Sequence, residues 1–73
     1  MRVEKEFIGD TILRLRKERG LSAADCTRLS GGQISERTVW RAERAGVVTE
    51  RTARILAPIL GVTAGELMPG GQP

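Results

Sequence analysis

"SERTVWRAER", residues 35–44, holds the only tryptophan of the chain and three of its arginines, and its periodicity separates two faces. At about 100° per residue, spacings of three and four bring Arg37, Arg41 and Arg44 within about 60° of one another. Val39 and Ala42 fall on the opposite side, with Ser35 and Gly46. A helix built this way has a narrow small-residue seam for a core and a continuous guanidinium stripe for the outside. Trp40 lies about 60° from the centre of that stripe, on its edge and away from the seam. Two uses fit such a face. It can read DNA, because an α-helix enters the major groove and Arg donates two hydrogen bonds to guanine O6 and N7, or it can simply be a solvated surface.

Ser35 is suited to cap this helix and Ala45-Gly46 to close it. Upstream, "LSAADCTRLSGGQ" begins with the N-cap Ser22, carries Asp25 in its first turn and breaks at Gly31-Gly32, which predicts a short helix. Before it, "EKEFIGDTILRLRKERG" sets Phe7, Ile8, Ile12 and Leu15 at helical spacing, with Leu13 at the margin. This predicts a helix over residues 4–19 that Gly20 stops, with Lys17 and Arg19 in its last turn. Downstream, "TERTARILAPILG" predicts a helix from Thr49 that buries Ala53, Leu56 and Leu60, with Ile55 and Ile59 beside them. Its Pro58 removes a backbone hydrogen bond and crowds the preceding turn, so the helix is expected to bend there or end early. "TAGEL" reads as a capping box of Thr63 with Glu66, opening a last turn that buries Leu67. Residues 1–68 are thus expected to form one domain and "PGGQP", residues 69–73, a flexible C-terminal tail.

Composition agrees with a small packed-helix domain. The 73 residues are 40% hydrophobic and 29% charged, and with one Phe, one Trp and no Tyr or His the core falls to Leu, Ile, Val and Ala. At this size a fold buries only about 60% of the surface its unfolded chain exposes, which leaves no room for a deep cleft. Ten of the twelve basic residues are Arg, and the net charge of +3 is uneven. From Arg14 to Arg54 there are ten basic and five acidic residues, so the middle is +5 and the ends sum to −2. A basic centre points to an acidic partner, and Arg suits bidentate contacts with phosphate and guanine.

The lone Cys26 excludes an internal disulfide and leaves too few ligands for a structural zinc site; a buried core thiol is favoured over a redox role. Without histidine or a phosphate loop there is no general base, metal site or nucleophile pair, so neither enzyme activity nor a cofactor is expected. No apolar run approaches the roughly 20 residues of a membrane span, and no signal-peptide core follows the N-terminus, which predicts a cytoplasmic protein without a membrane partner.

The order of "IGDTILRLRKERGLS", a short helix and turn, "ISERTVWRAERAG" and "ILAPILGVTAGEL" resembles the Cro and repressor type of helix-turn-helix domain, the XRE-like family, over residues 7–68. The resemblance implies an all-α, compact five-helix fold and a sequence-specific DNA-binding transcriptional regulator of bacterial or phage type, a repressor that occupies its operator as a homodimer. It implies that Glu36, Arg37 and Arg41 meet base edges with Trp40 adjacent to them. Ser22, Thr38, Arg44 and Arg51 are assigned to the phosphate backbone, and Arg14, Arg19 and Arg54 to further phosphate attraction. Arg16 and Glu43 match a partly buried ion pair between the first and third helices. Leu67, Met68 and the end of the fourth helix are the candidate dimer surface.

Glu36 has two readings, acceptance from cytosine N4 or repulsion of phosphate. Trp40 also has two, a contact with DNA sugars or a thymine methyl, or packing against a neighbouring helix or a dimer partner. Four features depart from the family pattern. Ala23 stands where many members carry a glutamine that touches DNA, the "SGGQI" turn is about two residues longer than usual, Cys26-Thr27 replace the usual Leu and Ala, and Pro58 sits inside the fourth helix. The rival function is a protein-binding modulator or antirepressor that uses the same fold, with Trp40 as its anchor.

Overall fold

The computed structural model describes residues 7–68. The expected start of the first helix at residue 4 and the tail at 69–73 lie outside them. Among the described residues all regular structure is helical: α1 (Ile8–Glu18), α2 (Ala23–Leu29), α3 (Glu36–Ala45), α4 (Glu50–Leu60) and a closing 3-10 turn (Ala64–Leu67). The last element therefore differs from a fifth α-helix, being a single tight turn.

Each helix after the first begins at a side-chain cap. Ser22, Ser35 and Thr49 accept from the backbone N–H three residues on, and Thr63 does the same for the 3-10 turn. Ser22 with Asp25, and Thr63 with Glu66, close full capping boxes. The carboxyl of Asp25 is held below its ordinary range by the Ser22 backbone N–H first, then by Arg28 and the Ser22 hydroxyl. Glu66 is lowered likewise by the backbone N–H and hydroxyl of Thr63. α1 has no such cap: Phe7, expected inside the helix, precedes it with φ −58° and ψ 131° and is exposed.

The long turn between α2 and α3 has a local explanation. Gly31 and Gly32 both adopt positive φ, 70° and 81°, which the absence of a Cβ permits. In that conformation Gly32 N–H donates to the Thr27 carbonyl and Gly31 N–H to that of Arg28, so two of the last carbonyls of α2 are satisfied. The chain can then drop Ile34 into the core.

The core is made of Ile12, Cys26, Ile34, Val39, Ala42, Ala53, Leu56, Leu60 and Leu67, with smaller neighbours. α3 packs against both α1 and α2, and α4 packs against the 3-10 turn and touches α1 and α2. Pro58 does not end α4 early: the helix runs on to Leu60. Both Pro58 and Arg54, whose carbonyl loses its N–H donor, are exposed residues, and solvent on that side of the helix reduces the penalty of an interior proline.

Cys26 is almost fully buried on α2, and burial pushes its thiol pKa up against the opposing pull of nearby Arg16. Since the thiolate is the reactive form, Cys26 is expected to resist alkylation by iodoacetamide at neutral pH until urea unfolds the chain. Following the labelling rate through the unfolding transition checks this, and fast labelling of the folded protein would contradict it.

Candidate functional site

The exposed face of α3 follows from its sequence period. Val39 and Ala42 are fully buried, and Arg37, Trp40, Arg41 and Arg44 are exposed, Trp40 at 46%. Ser35, expected with the seam, is an exposed cap, and Gly46 is half-buried in the left-handed conformation that ends the helix. Glu36, in the first turn, is exposed, and Thr38 is half-buried with its hydroxyl 3.1 Å from that of Ser35.

The guanidinium groups divide by whether the fold uses them. Arg14 pairs with Glu18, Arg28 with Asp25 and Arg54 with Glu50, each one helical turn away. Arg19 Nε donates to the Leu60 carbonyl at 2.8 Å, placing a positive charge at the C-terminal end of α4 where the helix dipole favours it. Arg51 Nη1 donates to the Gln33 carbonyl at 3.3 Å, tying α4 to the α2–α3 turn. Among the described residues, Arg37, Arg41 and Arg44 have no hydrogen-bond or ion-pair partner. These three form the stripe on α3.

Glu43 shares a helix with that stripe but faces α1. Its carboxylate takes two hydrogen bonds from Arg16, at 2.6 Å from Nε and 3.0 Å from Nη2, and Arg16 Nη1 also donates to the Leu21 carbonyl at 2.9 Å. The side chains are 15% and 9% exposed. Glu43 raises the pKa of Arg16, its hydrogen bonds outweighing the opposing effect of burial. The pair fixes α3 to α1 and leaves Glu43 turned away from the free arginines.

Several positions take roles that the sequence pattern did not reveal. Gly9, buried in the first turn of α1, lies against the backbone of α3 at Glu43, where a Cβ would collide with the Glu43 carbonyl. Arg19 and Arg51, read as phosphate contacts, each hold a backbone carbonyl of the fold, although both remain exposed. Ser22, by contrast, caps α2 as its sequence position predicts, and stays exposed. Leu67 is fully buried and so cannot form a dimer surface; Met68 is half-buried against the core. The end of α4 instead contributes Ile55, Pro58 and Ile59 to an open groove of about 600 Å³, shared with exposed Leu29 of α2 and lined also by Gln33 and Arg54.

Among the described residues no helix is long and apolar enough to cross a membrane. The chain matches no protein-family model, no curated protein and no solved structure.

Proposed function

We propose that the chain is a helix-turn-helix domain of the Cro and repressor type and acts in the cytoplasm as a sequence-specific DNA-binding regulator, with α3 in the major groove. The observation that carries this reading is the set of free guanidinium groups. The arginines without partners among the described residues are Arg37, Arg41 and Arg44, all on the outer stripe of α3, while the neighbouring arginines are neutralised or tied to backbone. A solvated face requires no such segregation, whereas a DNA-reading face requires donors that lose no internal bond on binding.

In this mechanism Arg37 and Arg41 meet base edges, flanked by Glu36 and Trp40, and Arg44 and Arg51 attract phosphate together with Ser22 and Thr38. One such helix reads few base pairs, so a homodimer on half-sites about 34 to 36 Å apart supplies the remaining specificity. Selection of bound duplexes from a random library at about 0.15 M salt tests the reading, since weak surface electrostatics are screened there. A two-fold symmetric motif is expected; recovery of background alone would refute the function.

Arg41→Ala is expected to remove about 1 to 3 kcal/mol of preference for the selected sequence over a scrambled one. Arg51→Ala should instead weaken both duplexes alike and flatten the salt dependence by about one phosphate, a slope change near 0.9. Competition binding across a salt series checks both variants, and equal losses on the two duplexes for Arg41→Ala would remove it from base reading.

A second reading is favoured by Trp40, an indole 46% exposed beside a basic stripe. Tryptophan and arginine are enriched at protein-binding hot spots, so the same face suits a modulator that binds another regulator. Loss of partner binding in Trp40→Ala, together with an absence of any selected DNA motif, would establish that alternative.

A further inference from the structure

Resting on the reading of α3 as a groove helix, we infer that its half-site presents two guanines, at adjacent or next-adjacent base pairs, to Arg37 and Arg41, and that Arg44 meets phosphate. Arg37 and Arg41 are four residues apart, which at about 1.5 Å per residue separates them by about 6 Å along the helix and about 40° around it. A base step is about 3.4 Å. Two guanidinium groups at this spacing, pointing the same way, therefore span one to two steps of the groove floor.

Guanine is selected by donor and acceptor pattern. A free guanidinium offers parallel N–H donors and no acceptor. In the major groove only guanine presents two acceptors, O6 and N7, on one base; adenine pairs its N7 with an N–H donor, thymine has a single O4 and cytosine presents a donor. Neither Arg37 nor Arg41 has an acceptor within the described residues to compete for these donors, unlike Arg28 and Arg54, whose Nη2 atoms already face carboxylates at 3.1 and 2.6 Å. Arg44 lies about 10.5 Å beyond Arg37 along the axis, in the last turn. Base edges are read chiefly from the N-terminal part of a recognition helix, so this third arginine falls to the backbone.

The test uses the full chain and the duplex recovered by selection, with each guanine of a half-site replaced in turn by 7-deazaguanine, which lacks the N7 acceptor. Folding of every variant is verified by circular dichroism. Two guanines within two base steps should each lose about tenfold in affinity on replacement, a range set by the strength of one good bidentate contact. Arg41→Ala should become insensitive to one of these replacements and stay sensitive to the other, and Arg37→Ala should show the reverse. A selected motif without such a guanine pair, or one whose guanines tolerate the replacement, overturns the guanine assignment while leaving DNA reading intact. Failure of the folded protein to select any motif overturns both.

Discussion

Replacing Glu43 by alanine is expected to destabilise the domain by about 3 kcal/mol, the lower end of the range of roughly 3 to 5 for breaking a buried ion pair. The lower end applies because the two side chains keep 15% and 9% of their exposure, so some solvent still reaches the charge. The variant removes both hydrogen bonds from the Arg16 fork and leaves the guanidinium with only the Leu21 carbonyl. A domain of 73 residues has a total stability of roughly 4 to 11 kcal/mol, so the loss is a large fraction of the whole. Urea unfolding checks it: the midpoint should fall with the slope unchanged. The double variant Arg16→Met/Glu43→Leu should recover much of the loss, since an apolar pair of similar volume has no stranded charge to desolvate. If Glu43→Ala alone were neutral, the pair would have to be a solvated contact that does not hold α3 to α1.

Gly9→Ala should lower stability by about 1 to 3 kcal/mol, the usual effect of overpacking a close contact. A methyl group there would strike the Glu43 carbonyl oxygen, approach the carbonyl carbon to 2.7 Å and the Phe7 ring to 2.6 Å. The ring can turn aside; the α3 backbone can move only if the whole helix does. Alanine gains up to about 1 kcal/mol in helix propensity over glycine, which the collision outweighs. A thermal scan should show the midpoint falling by about 4 to 8 °C for each kcal/mol lost in a domain of this size. A rise would mean that α1 and α3 can separate without cost and that Gly9 is a replaceable helical glycine. Because Gly9 and Arg16 both meet Glu43, the two sites share a partner, and their effects should not add.

Much of the fold was legible because its signals are local. Ser22, Ser35, Thr49 and Thr63 stand directly before helical segments, and a hydroxyl three residues ahead of a free N–H acts as a cap whatever surrounds it. The Val39–Ala42 seam and the outward Arg stripe follow from the helical period alone. Pro58 is the converse case: of the two expected outcomes, a bend or an early end, the early end does not occur, since α4 runs on to Leu60. Its lost hydrogen bond is a local fact, but the penalty depends on whether the orphaned carbonyl is buried, and the exposed side of α4 is a property of the packing. Leu67 is buried as the capping-box turn predicted, and it is the dimer surface implied by the resemblance that its burial excludes.

The arginines show where the division falls. Arg14, Arg28 and Arg54 each have an acid three or four residues away, whereas no acid stands at those distances from Arg37, Arg41 or Arg44, so helical spacing alone already separates the arginines that can be neutralised within their own turn from those that cannot. Arg16, Arg19 and Arg51 find their partners through packing, which brings them to Glu43, the Leu60 carbonyl and the Gln33 carbonyl across 27, 41 and 18 residues. Reach makes the difference. A helix fixes the neighbours of a side chain over one turn, and beyond that turn only the packing of one helix on another sets which donors and acceptors meet.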